Sequence, residues 1–382
     1  MIDPASFVTH LDELGVRFFT GVPDSLLKHL CSHVMQSLPR EAHVIAANEG
    51  AAVGLAIGHH LRTGEAALVY LQNSGFGNAV NPLLSLADRE VYGVPMVVLI
   101  GWRGQPGVAD EPQHVKQGRV MEAMIAAMDL PYAVLPREQE EADACMTEAV
   151  RIASERRGPY LVLVEKETFA AAPKPAGGRD TDVPQRQRPS REDALAALVE
   201  TLGDRTLNVS TTGMLSRELF ELRRRTGQDG SRDFLTVGGM GHASSIAMGI
   251  AMRETEREVW CLDGDGAALM HLGTLVVVAD HGAPLFHVVF NNGVHDSVGG
   301  QPTAVGSVDL PAMALAAGYR RAVATDALDD IPTLVAELRD AGGPSLLELR
   351  VRPGNRAGIG RPTRTPAEAK GVFMAALGTD RR

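Results

Sequence analysis

Ala67-Leu-Val-Tyr-Leu-Gln-Asn-Ser-Gly75 and Glu258-Val-Trp-Cys-Leu-Asp-Gly-Asp-Gly266 share one pattern, an apolar run that closes on small and polar residues. Laid over each other at a shift of 191, half of the 382 residues, they bring Leu71 onto Leu262, Ser74 onto Asp265 and Gly75 onto Gly266. The match extends outward. GVPMVVLIGWRG (93–104) falls on GAPLFHVVFNNG (282–293) at a shift of 189, and GPYLVLVEK (158–166) on GPSLLELRV (343–351) at 185. Drifts this small are what changes in loop length produce, so the chain reads as two copies of one α/β unit.

Each copy alternates strands with helices. VVLI (97–100) and HVVF (287–290) are short β-branched runs bounded by Gly or Pro, suited to strands covered on both faces of a parallel sheet. EADACMTEAVRIASERR (141–157) and REDALAALVETL (191–202) read as helices, the second with Ser190 as N-cap. The fold expected is α/β: two similar, doubly wound, mostly parallel-sheet domains with helices on both faces. AAPKPAGGRDTDVPQRQRPS (171–190) is rich in Pro, Gly and charge and reads as a linker, leaving domains at 1–170 and 191–382.

Composition narrows the function. Net charge is −10, which disfavours general binding to nucleic acid or anionic membrane. Aromatic residues make up only 4%, too few for extended base stacking. No apolar run is long enough to span a bilayer, and MIDPASFVTH lacks the pattern of a signal peptide. Three scattered cysteines (Cys31, Cys145, Cys261) suit reduced thiols in a cytoplasm and lack metal-site spacing.

The second copy carries the sharper motif. Val259-Trp-Cys-Leu-Asp reads as a strand, Gly264-Asp265-Gly266 as the turn after it, and AALMHLGTLVVVADHG as a helical stretch beyond. Small residues at a helix start let backbone N–H groups approach a phosphate. A carboxylate there would repel phosphate unless a cation stood between them. The next strand ends in Asn291-Asn292-Gly293, placing Asn292 27 residues after Asp265 on the same carboxyl edge. Two oxygen side chains, a turn carbonyl and two phosphate oxygens suit octahedral Mg²⁺. A dinucleotide fingerprint would need glycine at 269, where leucine stands, which argues against a nicotinamide dehydrogenase.

GDG followed by NN at this spacing resembles the motif of the thiamine-diphosphate-dependent decarboxylases. The resemblance implies a pyrimidine-binding domain followed by a diphosphate-binding domain, the cofactors thiamine diphosphate and Mg²⁺, and cytoplasmic homodimers or larger homo-oligomers with active sites at the subunit interface. It implies Mg²⁺ ligands from Asp265, Asn292 and the carbonyl of Val294. Cofactor contacts are expected at Asn73, Ser74, Thr212, Gly213, Gly239, Gly264, Gly266 and Ala267, with Met240 beneath the cofactor. Glu49, in the small-residue run AANEGAA, aligns with Met240 at the same shift of 191 and is the acid expected to bond the pyrimidine ring. Apolar surroundings there should raise its pKa.

GVPDSLLK (21–28), QNSGFGNAVNP (72–82), DEPQHVKQG (110–118), NNGVHDSVGGQPT (291–303) and GRPTRTP (360–366) resemble the small two-domain branch acting on strongly acidic 2-keto acids. HDSVGGQPT and DEPQH favour a phosphonate substrate over a sulfonate. By this resemblance Asp24 and the loop residue His114 are proton-transfer candidates. Ser25, Arg103, Asp296 and Ser297 are substrate candidates, and Lys116, Arg356 and Arg361 are further candidates for the phosphonate. Asp24 is also placed to cap the helix that follows it.

Overall fold

The computed structural model describes residues 1–171 and 188–378. Residues 172–187, most of the expected linker at 171–190, lie outside the described residues. The chain divides into two compact units, Met1–Asp180 and Thr181–Arg382.

Unit 1 is built on β1 (Phe18–Gly21), β2 (His43–Ile45), β3 (Ala67–Gln72), β4 (Met96–Gly101), β5 (Tyr132–Val134) and β6 (Pro159–Val164). All its pairings are parallel, in the order β2-β1-β3-β4-β6-β5. Leu68 and Tyr70 of β3 enter one core with Phe7, Leu30 and Leu99, whereas Val69 and Leu71 enter the other with Val53, Phe76 and Val98. Successive side chains of a strand point to opposite faces, so a strand buried on both reads as an unbroken apolar run. Each fully buried Leu or Val contributes about 1.5–3 kcal/mol.

Unit 2 repeats the plan with β7 (Leu207–Ser210), β8 (Asp233–Leu235), β9 (Val259–Gly264) and β10 (Leu285–Asn291). A short antiparallel pair, β11 (Val294–His295) with β12 (Gln301–Pro302), interrupts before β13 (Arg321–Thr325) and β14 (Ser345–Arg350). The main sheet runs β13-β14-β10-β9-β7-β8. Numbered one to six within the sheet and read from its β8 edge, that is 2-1-3-4-6-5, the order found in unit 1. The two doubly wound units share one topology, as the repeat requires.

Helices follow the sequence closely at Gln139–Arg156 and Arg191–Leu202, where the Ser190 hydroxyl accepts from Asp193 N. The stretch after Gly266 departs from expectation. It breaks into Asp265–Met270 and Thr274–Asp280, separated at His271 to Gly273. The expected GDG turn is also absent as such: β9 ends on Gly264 and the helix begins directly at Asp265. Among the described residues, no helix is long and apolar enough to cross a membrane. All three cysteines are free. Cys261 shares a buried cluster with Asp263 and His287, whose Nε2 lies 3.4 Å from Asp263 Oδ2.

Candidate active site

In unit 1 the Asn48 side chain caps the helix Glu49–Thr63, accepting from Ala51 N at 2.9 Å. That cap sets Glu49 in the first turn, where it is only 4% exposed. Glu49 Oε2 accepts from Asn78 Nδ2 at 2.8 Å. Gly75 closes over the other oxygen: a Cβ there would lie 1.9 Å from Glu49 Oε1. Burial raises the Glu49 pKa, against the pull of the Asn78 hydrogen bond.

Asp24 follows β1 and is fully buried. It does not cap the next helix, whose N-cap is Leu27 and has no side-chain bond. Instead Asp24 Oδ2 accepts from Leu26 N at 2.9 Å within its own turn, while Oδ1 has no hydrogen-bond partner among the described residues. The approach of Gly101 explains the glycine at the end of β4, since a Cβ there would stand 2.0 Å from Asp24 Oδ2. Burial pushes the Asp24 pKa up to about 6, although turn N–H groups and Arg103 oppose the rise.

His114 is not in a loop. It lies in the first turn of the helix Pro112–Ala127, with its Nδ1 buried and unpartnered among the described residues. Burial and the nearby Arg103 push its pKa down to about 4, so it is neutral at pH 7. Of the two proton-transfer candidates, Asp24 is therefore the better acid near neutrality.

Arg103 is committed before any ligand arrives. Its Nε and Nη2 donate to Asp110 at 2.8 and 2.5 Å, and Nη1 donates to Ser25 Oγ at 2.9 Å. Ser25, Arg103, Asp110 and Lys166 line a cleft of about 320 Å³. The Asn73 side chain is likewise occupied, donating to Arg103 O and accepting from Arg103 N at 2.8 and 3.2 Å. It ties the ends of β3 and β4 together, which leaves backbone rather than amide for a cofactor. The Ser74 hydroxyl accepts from Gln72 Nε2.

In unit 2 a cavity at the carboxyl edge is lined by Thr212, Met240, Gly264, Gly266 and Ala267, together with Asp265, Asn292, Val294 and Ser297. Gly213 has φ +99° and Gly239 φ +65°, conformations that favour glycine. Asp265 is 3% exposed, and the Thr303 hydroxyl donates to its Oδ2. The β11–β12 pair makes that contact possible by folding 291–303 back, with Thr303 N donating to Gly293 O at 2.8 Å. Burial pushes the Asp265 pKa up to about 6; the opposing influences are hydrogen bonds rather than a basic side chain. A buried carboxylate beside an amide oxygen and a turn carbonyl, without a cationic partner, is a donor set fit for a hard divalent ion.

Asp296, expected to meet the substrate, lines the same cavity and is bonded within the fold. It accepts from Arg191 Nη1 at 3.2 Å, Asn292 Nδ2 at 2.7 Å and Gly354 N at 3.1 Å. Arg356, a phosphonate candidate, is paired with Glu192 and is exposed, as are Lys116 and Arg361. Two residues that sequence reasoning missed also line the cavity, Arg191 and His295. His295 packs over Gly266, and burial lowers its pKa to about 4. The HDS run quoted above contained the signal for His295. Arg191, which follows the N-cap Ser190, carried none.

Two family models match, one in each unit. The model described as "Thiamine pyrophosphate enzyme, N-terminal TPP binding domain" covers residues 5–125, and its C-terminal TPP binding counterpart covers 211–349. The chain is 39% identical to a phosphonopyruvate decarboxylase of Streptomyces viridochromogenes, over 99% of this chain and 96% of that protein. The chain belongs to the phosphonopyruvate decarboxylase family of thiamine pyrophosphate enzymes. It is a decarboxylase, a carbon–carbon lyase that uses thiamine pyrophosphate. A second member, from Streptomyces hygroscopicus, is 38% identical over 98% of this chain and 93% of its own length. A sulfopyruvate decarboxylase of Methanosarcina acetivorans is more distant, at 25% identity over 96% of this chain and 95% of that protein.

One consequence for stability follows from Asp24. Its folded-state carboxyl holds a proton more tightly than the unfolded chain does, so stability is lost as pH rises from about 4 through about 6. Arg103 and Cys31 are the titratable groups that act on it. Asp24→Asn keeps an oxygen for Leu26 N–H and removes the buried charge. We expect it to stabilise the protein by about 3 kcal/mol at pH 8 and hardly at all at pH 3.5. Thermal midpoints of both proteins across that range check this, and equal midpoints at pH 8 would contradict it.

Proposed function

We propose that the chain converts 3-phosphonopyruvate to phosphonoacetaldehyde and CO₂, using thiamine pyrophosphate and Mg²⁺, in the biosynthesis of phosphonate natural products. The observation that carries this reading is 39% identity along 99% of the chain to a phosphonopyruvate decarboxylase, against 25% to a sulfopyruvate decarboxylase. Asp265, the Asn292 side chain and the Val294 carbonyl would hold Mg²⁺. Backbone at Thr212, Gly213, Gly264, Gly266 and Ala267 would surround the diphosphate, with Met240 and Gly239 beside the rings. Residues 1–170 would then form the pyrimidine-binding domain and 191–382 the diphosphate-binding domain.

When bound, thiamine pyrophosphate supplies the electron sink that lets a 2-keto acid lose CO₂. The chain's own residues handle protons and position. Glu49, buried and held by Asn78, has its pKa raised by burial and would share a proton with the pyrimidine ring. Asp24, with its pKa near 6, would return a proton at the substrate carbon. Neutral His114 would donate a hydrogen bond without carrying charge. Ser25 and Arg103 would meet the acidic end of the substrate. Family precedent for sites shared between subunits favours a homodimer or larger homo-oligomer, and the free thiols favour a cytoplasmic enzyme.

The test is a side-by-side measurement of CO₂ and aldehyde release from phosphonopyruvate and sulfopyruvate, with thiamine pyrophosphate and Mg²⁺ present. A higher kcat/KM on the phosphonate is expected. A preference for the sulfonate would reverse the substrate assignment.

A further inference from the structure

The cation site proposed above depends on which way the Asn292 amide faces. Only its oxygen can bind a cation, and nothing in the side chain's shape distinguishes oxygen from nitrogen. The structure supplies the distinction at both ends of the amide: Val294 N donates to its oxygen at 3.1 Å, and Asp296 takes its nitrogen. The Asp296 carboxylate accepts from Asn292 Nδ2 at 2.7 Å. A flipped amide would set oxygen against carboxylate, an arrangement without a proton between them.

Asp296 is itself held. Arg191 Nη1 donates to it at 3.2 Å, and Gly354 N donates at 3.1 Å. Arg191 in turn donates from Nε and Nη2 to Glu218 at 2.7 and 3.0 Å, so its guanidinium is fixed in a two-point grip. The pair is deeply buried, with Arg191 7% and Glu218 1% exposed. Three separate segments converge here: the helix starting at Arg191, the helix Met214–Thr226 that carries Glu218, and the turn that carries Asp296. Breaking a buried ion pair on one side is costly, so the chain of contacts has little freedom to rearrange.

The geometry points to Glu218, Arg191 and Asp296 as positioning residues that fix the Asn292 amide and thereby set the affinity of the site for its divalent cation. This rests on the reading of Asp265 and Asn292 as cation ligands. It replaces the substrate role expected of Asp296, whose Oδ2 already accepts from Arg191, Asn292 and Gly354.

The experiment uses the full chain with thiamine pyrophosphate, titrated with Mn²⁺ while free Mn²⁺ is followed by electron paramagnetic resonance. Asp296→Ala should weaken Mn²⁺ binding by about 10- to 100-fold, the usual consequence of losing a partner that orients a metal ligand. Asn292→Ala should weaken it at least as much, and the double variant should bind no more weakly than Asn292→Ala alone, because Asp296 acts through that amide. Thermal melts of each variant identify any that fail to fold, and Asp296→Leu, close in size and without an acceptor, then replaces Asp296→Ala. Wild-type affinity in the Asp296 variant, or effects that simply add in the double variant, would overturn the inference. A wild-type protein that takes up no Mn²⁺ would instead remove the cation site on which the inference stands.

Discussion

Replacing Glu49 with glutamine should lower kcat by about 10³-fold while leaving the fold and the binding of thiamine pyrophosphate in place. Glutamine has the same length and can still bond Asn78, which now lies 2.8 Å from the carboxylate. It cannot exchange a proton at the position of the Glu49 carboxyl. Burial already raises the Glu49 pKa, so removing the acid also removes a desolvation cost, and the thermal midpoint should not fall. Gly75→Ala is the companion variant. Its methyl group would enter the space of Glu49 Oε1, displacing the acid without deleting it, and should also lower kcat. Steady-state kinetics, calorimetric titration with thiamine pyrophosphate and thermal melts together check the result. A kcat near wild type in Glu49→Gln, with cofactor bound, would falsify the assignment of Glu49 as the acid.

The fold was legible because buried parallel strands leave an uninterrupted signature. VVLI and HVVF sit inside β4 and β10, and the repeat shift maps the first sheet onto a second of identical strand order. Asp265 and Asn292 were equally readable, since each stands at a strand end on the same edge and the spacing between them is local to one strand–helix–strand unit. What failed had local causes in two places and non-local ones in two others. The helix after Gly266 breaks at His271 to Gly273, where His271 and the helix-weakening Gly273 interrupt the apolar run. The family resemblance places His114 in a loop, yet Pro112 opens a helix there, where its missing N–H costs nothing. Asp296 reads as a free carboxylate beside the metal motif. Its partner Arg191 lies 105 residues away, and no local pattern announces a contact of that separation. Asn73 shows the same limit: the sequence places it at a strand end but cannot say that the next strand's backbone consumes its amide.

Replacing Asp265 with asparagine separates binding from chemistry in the opposite sense. The carboxylate is 3% exposed, and its charge is supported by hydrogen bonds rather than by a basic side chain. Asparagine keeps an oxygen for the Thr303 hydroxyl, so the return of 291–303 onto the start of the helix should survive. The negative charge that would offset a divalent cation against the diphosphate is lost. Affinity for thiamine pyrophosphate with Mg²⁺ should therefore fall by at least about 100-fold, beyond the range expected for losing an orienting partner. The cofactor-free variant should be at least as stable as the parent, because a buried charge has been removed. Thermal melts with and without cofactor read both effects: the parent's midpoint should rise on adding thiamine pyrophosphate and Mg²⁺, whereas the variant's should not. The same addition should still stabilise Glu49→Gln, whose binding machinery is intact. If Asp265→Asn were stabilised by cofactor as strongly as the parent, the carboxylate would not be a cation ligand, and unit 2 would have to hold the diphosphate through its backbone and Arg191 instead.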